Sequence, residues 1–159
     1  MTVALLRADA EAILHVSVNM RDVDREEIFA TRWSDSSIDL AEDIARIPGP
    51  HWAAWKAGIG PVAIYGAMPM WPGVWSMYFF STPHFHQIAR DVTRHIRKVM
   101  MPSLALVAGA HRAEARSSVS HTEAHRWLER LGAKREATLK GYGRKGEDFI
   151  LFAWDCGAK

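Results

Sequence analysis

Two histidines one helical turn apart, in His121-Thr122-Glu123-Ala124-His125, are the first place where residue type and spacing could do chemistry. Imidazoles at i and i+4 share a helix face, as in many zinc pairs. The glutamate falls one place late for the H-E-x-x-H arrangement, and no third ligand stands nearby in sequence. A second pair, His84-Phe85-His86, would splay its rings by about 200° of helix rotation. No metal site is expected from either. Trp52, Trp55, Trp71 and Trp75 crowd the middle of the chain. They suit either a large aromatic core or a groove lined by indoles, and the core is the ordinary case. Glu26 and Glu27 read as solvated helix-start acids, and Tyr142 as a turn aromatic over the core. Arg90, Arg94, Arg97 and Lys98 recur on one side of an amphipathic segment, which is the pattern of a solvated helix face. No base-reading motif accompanies them, so nucleic acid is not an expected partner.

The residues that must position these groups form a chain of 159, the size of one domain. Hydrophobic residues make up 48% and charged residues 24%, the composition of a globular protein rather than a disordered one. Twenty basic residues against 18 acidic give a net charge of +2, too balanced to argue for a polyanion partner. The single cysteine, Cys156, rules out a disulfide framework within the chain and any Cys-rich zinc site. No apolar run approaches the ~20 residues of a membrane span. Acidic residues interrupt the N-terminal stretch where a signal peptide needs an apolar core, so a cytoplasmic location is expected.

The spacing predicts helices over 8–18, from Asp22 onward, and from a Ser36 or Ser37 cap to the Pro48-Gly49-Pro50 stop. Strands follow at 51–57 and 62–67, joined by a turn at Gly58-Ile59-Gly60-Pro61. Pro69, Pro72 and Gly73 suggest the next loop. Val74 to Ser81 is nearly all apolar and predicts a central strand buried on both faces. Thr82-Pro83 opens a long amphipathic helix that Pro102 is expected to stop. A strand at 112–120, a helix at 121–131 closed by Gly132, and strands at 134–140 and 148–154 complete the pattern. Helix-linked strands imply at least one parallel pair, so the class is a mixed-sheet α/β or α+β domain.

The segment Ala124-His125-Arg126-Trp127-Leu128-Glu129-Arg130-Leu131-Gly132-Ala133 resembles the late motif of the GNAT superfamily of acetyl-CoA-dependent N-acyltransferases. Residues 138–142 and 146–153 resemble that superfamily's closing hairpin. Asn19-Met20-Arg21-Asp22-Val23-Asp24-Arg25-Glu26-Glu27-Ile28 resembles a phage-encoded branch that includes internal virion proteins of short-tailed phages. The resemblance implies a mostly antiparallel sheet of about six to seven strands. It also implies acetyl-CoA as co-substrate, an amine acceptor, and a location in a host cytoplasm or a virion. A homo-oligomer or virion proteins are the further partners it allows.

The resemblance also implies site residues. Phe79, Phe80 and Ser81 would bind the pantetheine arm, and His84, Phe85, His86 and Gln87 the pyrophosphate, with Trp127 as another cofactor contact. His121 or Tyr142 would handle protons. The departures are equally specific. The segment from Ser81 to Ala89 has no glycine where the superfamily's pyrophosphate loop reads [Q/R]-x-x-G-x-[G/A]. His121 replaces the late-motif Asn, and Leu128 replaces the Tyr that protonates the departing thiolate. The alternative reading is a GNAT-fold virion or assembly protein without turnover.

Overall fold

The computed structural model describes residues 2–157. Seven strands form one sheet: β1 (Val3–Arg7), β2 (His51–Lys56), β3 (Gly60–Trp71), β4 (Val74–Ser81), β5 (Arg112–Ser118), β6 (Lys134–Leu139) and β7 (Phe149–Asp155). Their order is β1-β2-β3-β4-β5-β7-β6. Each neighbouring pair is antiparallel except β4 and β5. The mixed α/β expectation is met, with the parallel pair at the centre.

Alternation along the strands sends successive side chains to opposite faces. Ala53, Ile64 and Phe80 meet the first helices, α1 (Ala10–Val18), α2 (Asp22–Phe29) and α3 (Ser37–Arg46). Ala63, Tyr65, Ala113 and Phe152 meet the other face, where Ile88, Val92 and Ile96 pack. That face carries α4 (Ala89–His95), α5 (Met101–Leu106) and α6 (Thr122–Arg130). Helix starts follow capping chemistry: Asp9 accepts from Ala12 N at 2.8 Å, and Ser36, rather than Ser37, accepts from Asp39 N at 3.2 Å. Among the described residues no helix is long and apolar enough to cross a membrane.

Four elements differ from the sequence reading. β1 goes unpredicted because Val-Ala-Leu-Leu-Arg lacks an alternating pattern. β3 runs on through Pro69 to Trp71, and Pro72-Gly73 alone makes the turn. Pro69 lies beyond the last residue that β2 pairs, where a missing N–H breaks no ladder. Pro102 does not end the helical run. Residues Ile96–Met100 form a π-turn, and the chain resumes as α5 with the proline in its first turn. The wider i→i+5 turn relieves the clash that a proline ring makes in an α-helix. β4 is fully buried only at its ends, and Trp75 to Phe79 are half-buried.

Gly66 faces the narrowest space in the sheet. A Cβ there would lie 2.2 Å from the Pro50 carbonyl oxygen and 2.9 Å from the Tyr78 hydroxyl. Overpacking of this kind costs about 1–3 kcal/mol. Gly66→Ala should lose that much stability in urea unfolding, and a loss near zero would show that the Pro50 backbone yields freely.

Candidate active site

β4 and β5 pair at only three positions: Val74 with Arg112, Trp75 with Ala113, and Ser76 with Glu114. Beyond Ser76 the strands diverge. Hydrogen-bond alternation shows which backbone groups face the gap. Thr82 N donates to Val62 O on β3, whereas Gly73 O accepts from Arg112 N on β5. Odd-numbered residues of β4 therefore turn their N–H and C=O toward β5. Past the last paired position, Phe79 presents both groups to the open gap. A cavity of about 580 Å³ passes through the sheet there. Its wall includes Phe85 and Trp127 on one face and Asp24, Glu27 and Ile44 on the other.

Helix α2 holds the gap open from one side. Asp24 Oδ2 accepts from Ser81 N at 2.9 Å and from Ser81 Oγ at 3.2 Å, at the end of β4. The same carboxylate takes a two-point pairing from Arg21, at 3.0 and 2.8 Å. One turn on, Glu27 Oε1 accepts from Ser117 Oγ at 2.6 Å and from Ser118 N, at the end of β5. Its other oxygen lies 3.3 Å from His121 Nδ1, an ion-pair distance off the line of a good hydrogen bond. Burial pulls the His121 imidazole down, but the Glu27 carboxylate, aided by Asp24, outweighs it and leaves His121 above its ordinary value.

The structure brings several sequence-named residues to this cavity and sends others elsewhere. Phe79 packs on Phe85 and Trp127 with ring centroids 4.7 Å away in both cases, and Trp127 Nε1 donates to Thr93 Oγ1. His121 and Tyr142 line the same cavity from α6 and the β6–β7 connection, with Arg116 over the Tyr142 ring. Phe80 is fully buried against α1 and α3, with part of it on the cavity wall. The Ser81 amide is taken by Asp24. His84, His86 and Gln87 lie outside the cavity wall: His86 bonds to Pro83 O, and Gln87 bonds to Lys56 and His84. The segment Pro83–Gln87 is a 3-10 turn. Within it Phe85 N bonds to Thr82 O, Ile88 N to Phe85 O, and His84 N to Thr82 Oγ1.

The second histidine of the 121/125 pair does not share a ligand with the first. His125 Nε2 donates to Ser118 O at 2.8 Å, and burial lowers its proton affinity. Glu27, which the sequence reads as a solvated acid, is instead a tie between helix and sheet. Asp24 and the Tyr78–His51 hydrogen bond carry no local pattern that marks them.

A raised folded value for His121 gives the Glu27–His121 pairing a defined pH window. Its contribution is fully present below the unfolded value of about 6.5 and is lost as pH rises through the folded value. Glu27→Gln should therefore destabilise more at pH 6 than at pH 9 in urea unfolding. Equal losses at the two pH values would show that the imidazole carries no charge beside Glu27.

No protein-family model and no curated protein matches the sequence. Solved structures do match. Against yncA from Salmonella typhimurium, described with its cofactor acetyl-CoA, the TM-score is 0.73 at 13% identity, covering 100% of this chain and 96% of that one. Against the spermidine N-acetyltransferase SpeG from Vibrio cholerae it is 0.72 at 11% identity, covering 97% and 94%. Against a GNAT-family acetyltransferase from Bacillus anthracis it is 0.70 at 13% identity, covering 98% and 96%. The open, mostly antiparallel seven-stranded sheet and its flanking helices thus have the fold of the GNAT acetyltransferases.

Proposed function

We propose that the protein is an acyl-CoA-dependent N-acyltransferase that moves an acetyl group from acetyl-CoA to a primary amine. The observation that carries this reading is the Phe79 backbone, facing a cavity that passes through the sheet. A pantetheine arm is an extended chain of amides and needs strand-like partners, which the free N–H and C=O of Phe79 supply. The Phe79–Phe85–Trp127 rings give its apolar segments a wall. The same N–H is the preorganised donor for a carbonyl oxygen that gains charge.

The pyrophosphate side is built differently. The 3-10 turn spends the amides of His84, Phe85 and Ile88 internally, so it offers no amide cradle. Arg126 and Arg130, exposed one turn apart on α6 and reaching the cavity wall, supply cationic forks suited to phosphate oxygens. His84 and His86 lie within the turn and add side-chain donors. His121, on the cavity wall, would be the proton donor for the departing thiolate, and its raised proton affinity supports that role. Leu128 cannot serve. Tyr142 borders the acceptor side, beside Arg116. An open passage through the sheet weighs against a scaffold that has given up chemistry.

Thermal unfolding with acetyl-CoA, CoA and ATP tests the reading. A ligand at about 100 times its Kd adds about 2.7 kcal/mol, or roughly 5–10 °C for a chain of this size. Shifts with both CoA forms and not with ATP are expected, followed by CoA release when a panel of primary amines is added. No shift at millimolar ligand overturns the reading.

A further inference from the structure

His51, Gly66 and Tyr78 stand directly opposite one another on β2, β3 and β4, in one row across the sheet. The residue between the two functional side chains has no side chain of its own. A Cβ at Gly66 would lie 2.9 Å from the Tyr78 hydroxyl and 3.1 Å from His51 Nδ1. Only glycine leaves the space in which hydroxyl and imidazole meet. They do meet, Tyr78 Oη against His51 Nδ1. The partner on the far side of the ring assigns the tautomer. His51 Nε2 lies 2.7 Å from the Ile47 carbonyl oxygen, which can only accept. In the neutral ring Nε2 therefore carries the proton, Nδ1 holds a lone pair, and Tyr78 donates to it.

Tyr78 also lines the cavity that passes through the sheet, on the α2–α3 face, next to the Phe79 backbone. If the pair served only to satisfy two half-buried polar groups, it could sit sealed in the core. Instead Tyr78 is part of the wall of the space from which an acceptor would approach. We propose that Tyr78 and His51 form the proton-accepting relay of the site, Tyr78 touching the acceptor amine and His51 taking the proton through it. This rests on the acyltransferase reading and adds the base that the reading lacks. Burial holds the Tyr78 phenol far above its ordinary value, so it conducts a proton without standing as a phenolate.

The step balances. The neutral amine forms an N–C bond to the thioester carbonyl, and the C–S pair leaves with sulfur. The surplus N–H proton moves to the Tyr78 oxygen as the Tyr78 proton moves to His51 Nδ1. The thiolate takes a proton from the His121 imidazolium. Amide and thiol depart, and a proton returned through solvent from His51 to His121 restores both rings.

Two measurements test the relay. Long-range proton–nitrogen spectra of the wild-type imidazoles should show His51 with Nε2 protonated and Nδ1 as acceptor, and a proton on Nδ1 of the neutral ring overturns the proposal. With acetyl-CoA and the best amine of a panel, Tyr78→Phe should lower kcat about 10²-fold with KM for acetyl-CoA unchanged. His51→Asn, whose amide oxygen still accepts the hydroxyl's hydrogen bond but takes no proton, should lose as much. The double variant should lose no more than either. Turnover indifferent to Tyr78→Phe, or wild-type kcat in His51→Asn, overturns the relay alone. A wild type that neither binds acetyl-CoA nor consumes it overturns the acyltransferase reading, and the relay with it.

Discussion

Asp24 and Glu27, one turn apart on α2, hold the ends of two strands that no longer hold each other. Past Ser76 and Glu114 the central ladder stops, yet the sheet does not come apart. Unpaired backbone groups at such a place would cost about 1–3 kcal/mol each if buried without partners. The Ser81 and Ser118 amides, one at the end of each diverging strand, find a carboxylate instead. The i,i+3 spacing on one helix fixes how far apart the two strand ends stand. The gap between them is a built feature of the fold, and the cavity and the free Phe79 backbone exist because of it.

Buried carboxylates are expensive unless they are paired and hydrogen-bonded. Asp24 is 3% exposed and meets that condition with Arg21 on one side and the Ser81 amide and hydroxyl on the other. Glu27 meets it with Ser117, Ser118 and His121. The tie at β5 therefore includes an imidazole whose proton affinity the Glu27 carboxylate raises, and the tie at β4 includes a guanidinium paired at two points. The structural clasp and the candidate acid share one residue pair. Changes in the charge of His121 thus act on the clasp that holds the end of β5.

The sequence made legible those elements whose signals are local. Val74 to Ser81 is an apolar run bounded by turn residues, Ser36 caps α3, and the glycines and charged residues at 140–147 mark the closing hairpin. What it hid depends on distant partners. Asp24 meets Ser81 across 57 positions, Glu27 meets Ser118 across 91, and His51 meets Tyr78 across 27. A glutamate in the first turns of a helix looks solvated until the sheet that it grips is in place. Pro102 looked like a stop because the widened π-turn that accommodates it leaves no mark in residue pattern. One signal for the Tyr78–His51 meeting was present: Gly66 lies inside a run of strand-forming residues, which marks a close approach of something else.

Backbone groups and side chains make different demands on a sequence at such a gap. A carbonyl oxygen held by the Phe79 N–H needs only a strand that turns that group toward a gap, and any side chain at 79 allows it. Proton transfer needs a side chain and so depends on the residue that stands at the site. The environments around His121 and Tyr78–His51 push the two groups toward opposite roles. A carboxylate beside His121 favours the charged ring. A carbonyl behind His51 takes its Nε2 proton and leaves Nδ1 facing the Tyr78 hydroxyl. The fold itself thus keeps apart two imidazoles with opposite surroundings, one beside a carboxylate and one backed by a carbonyl.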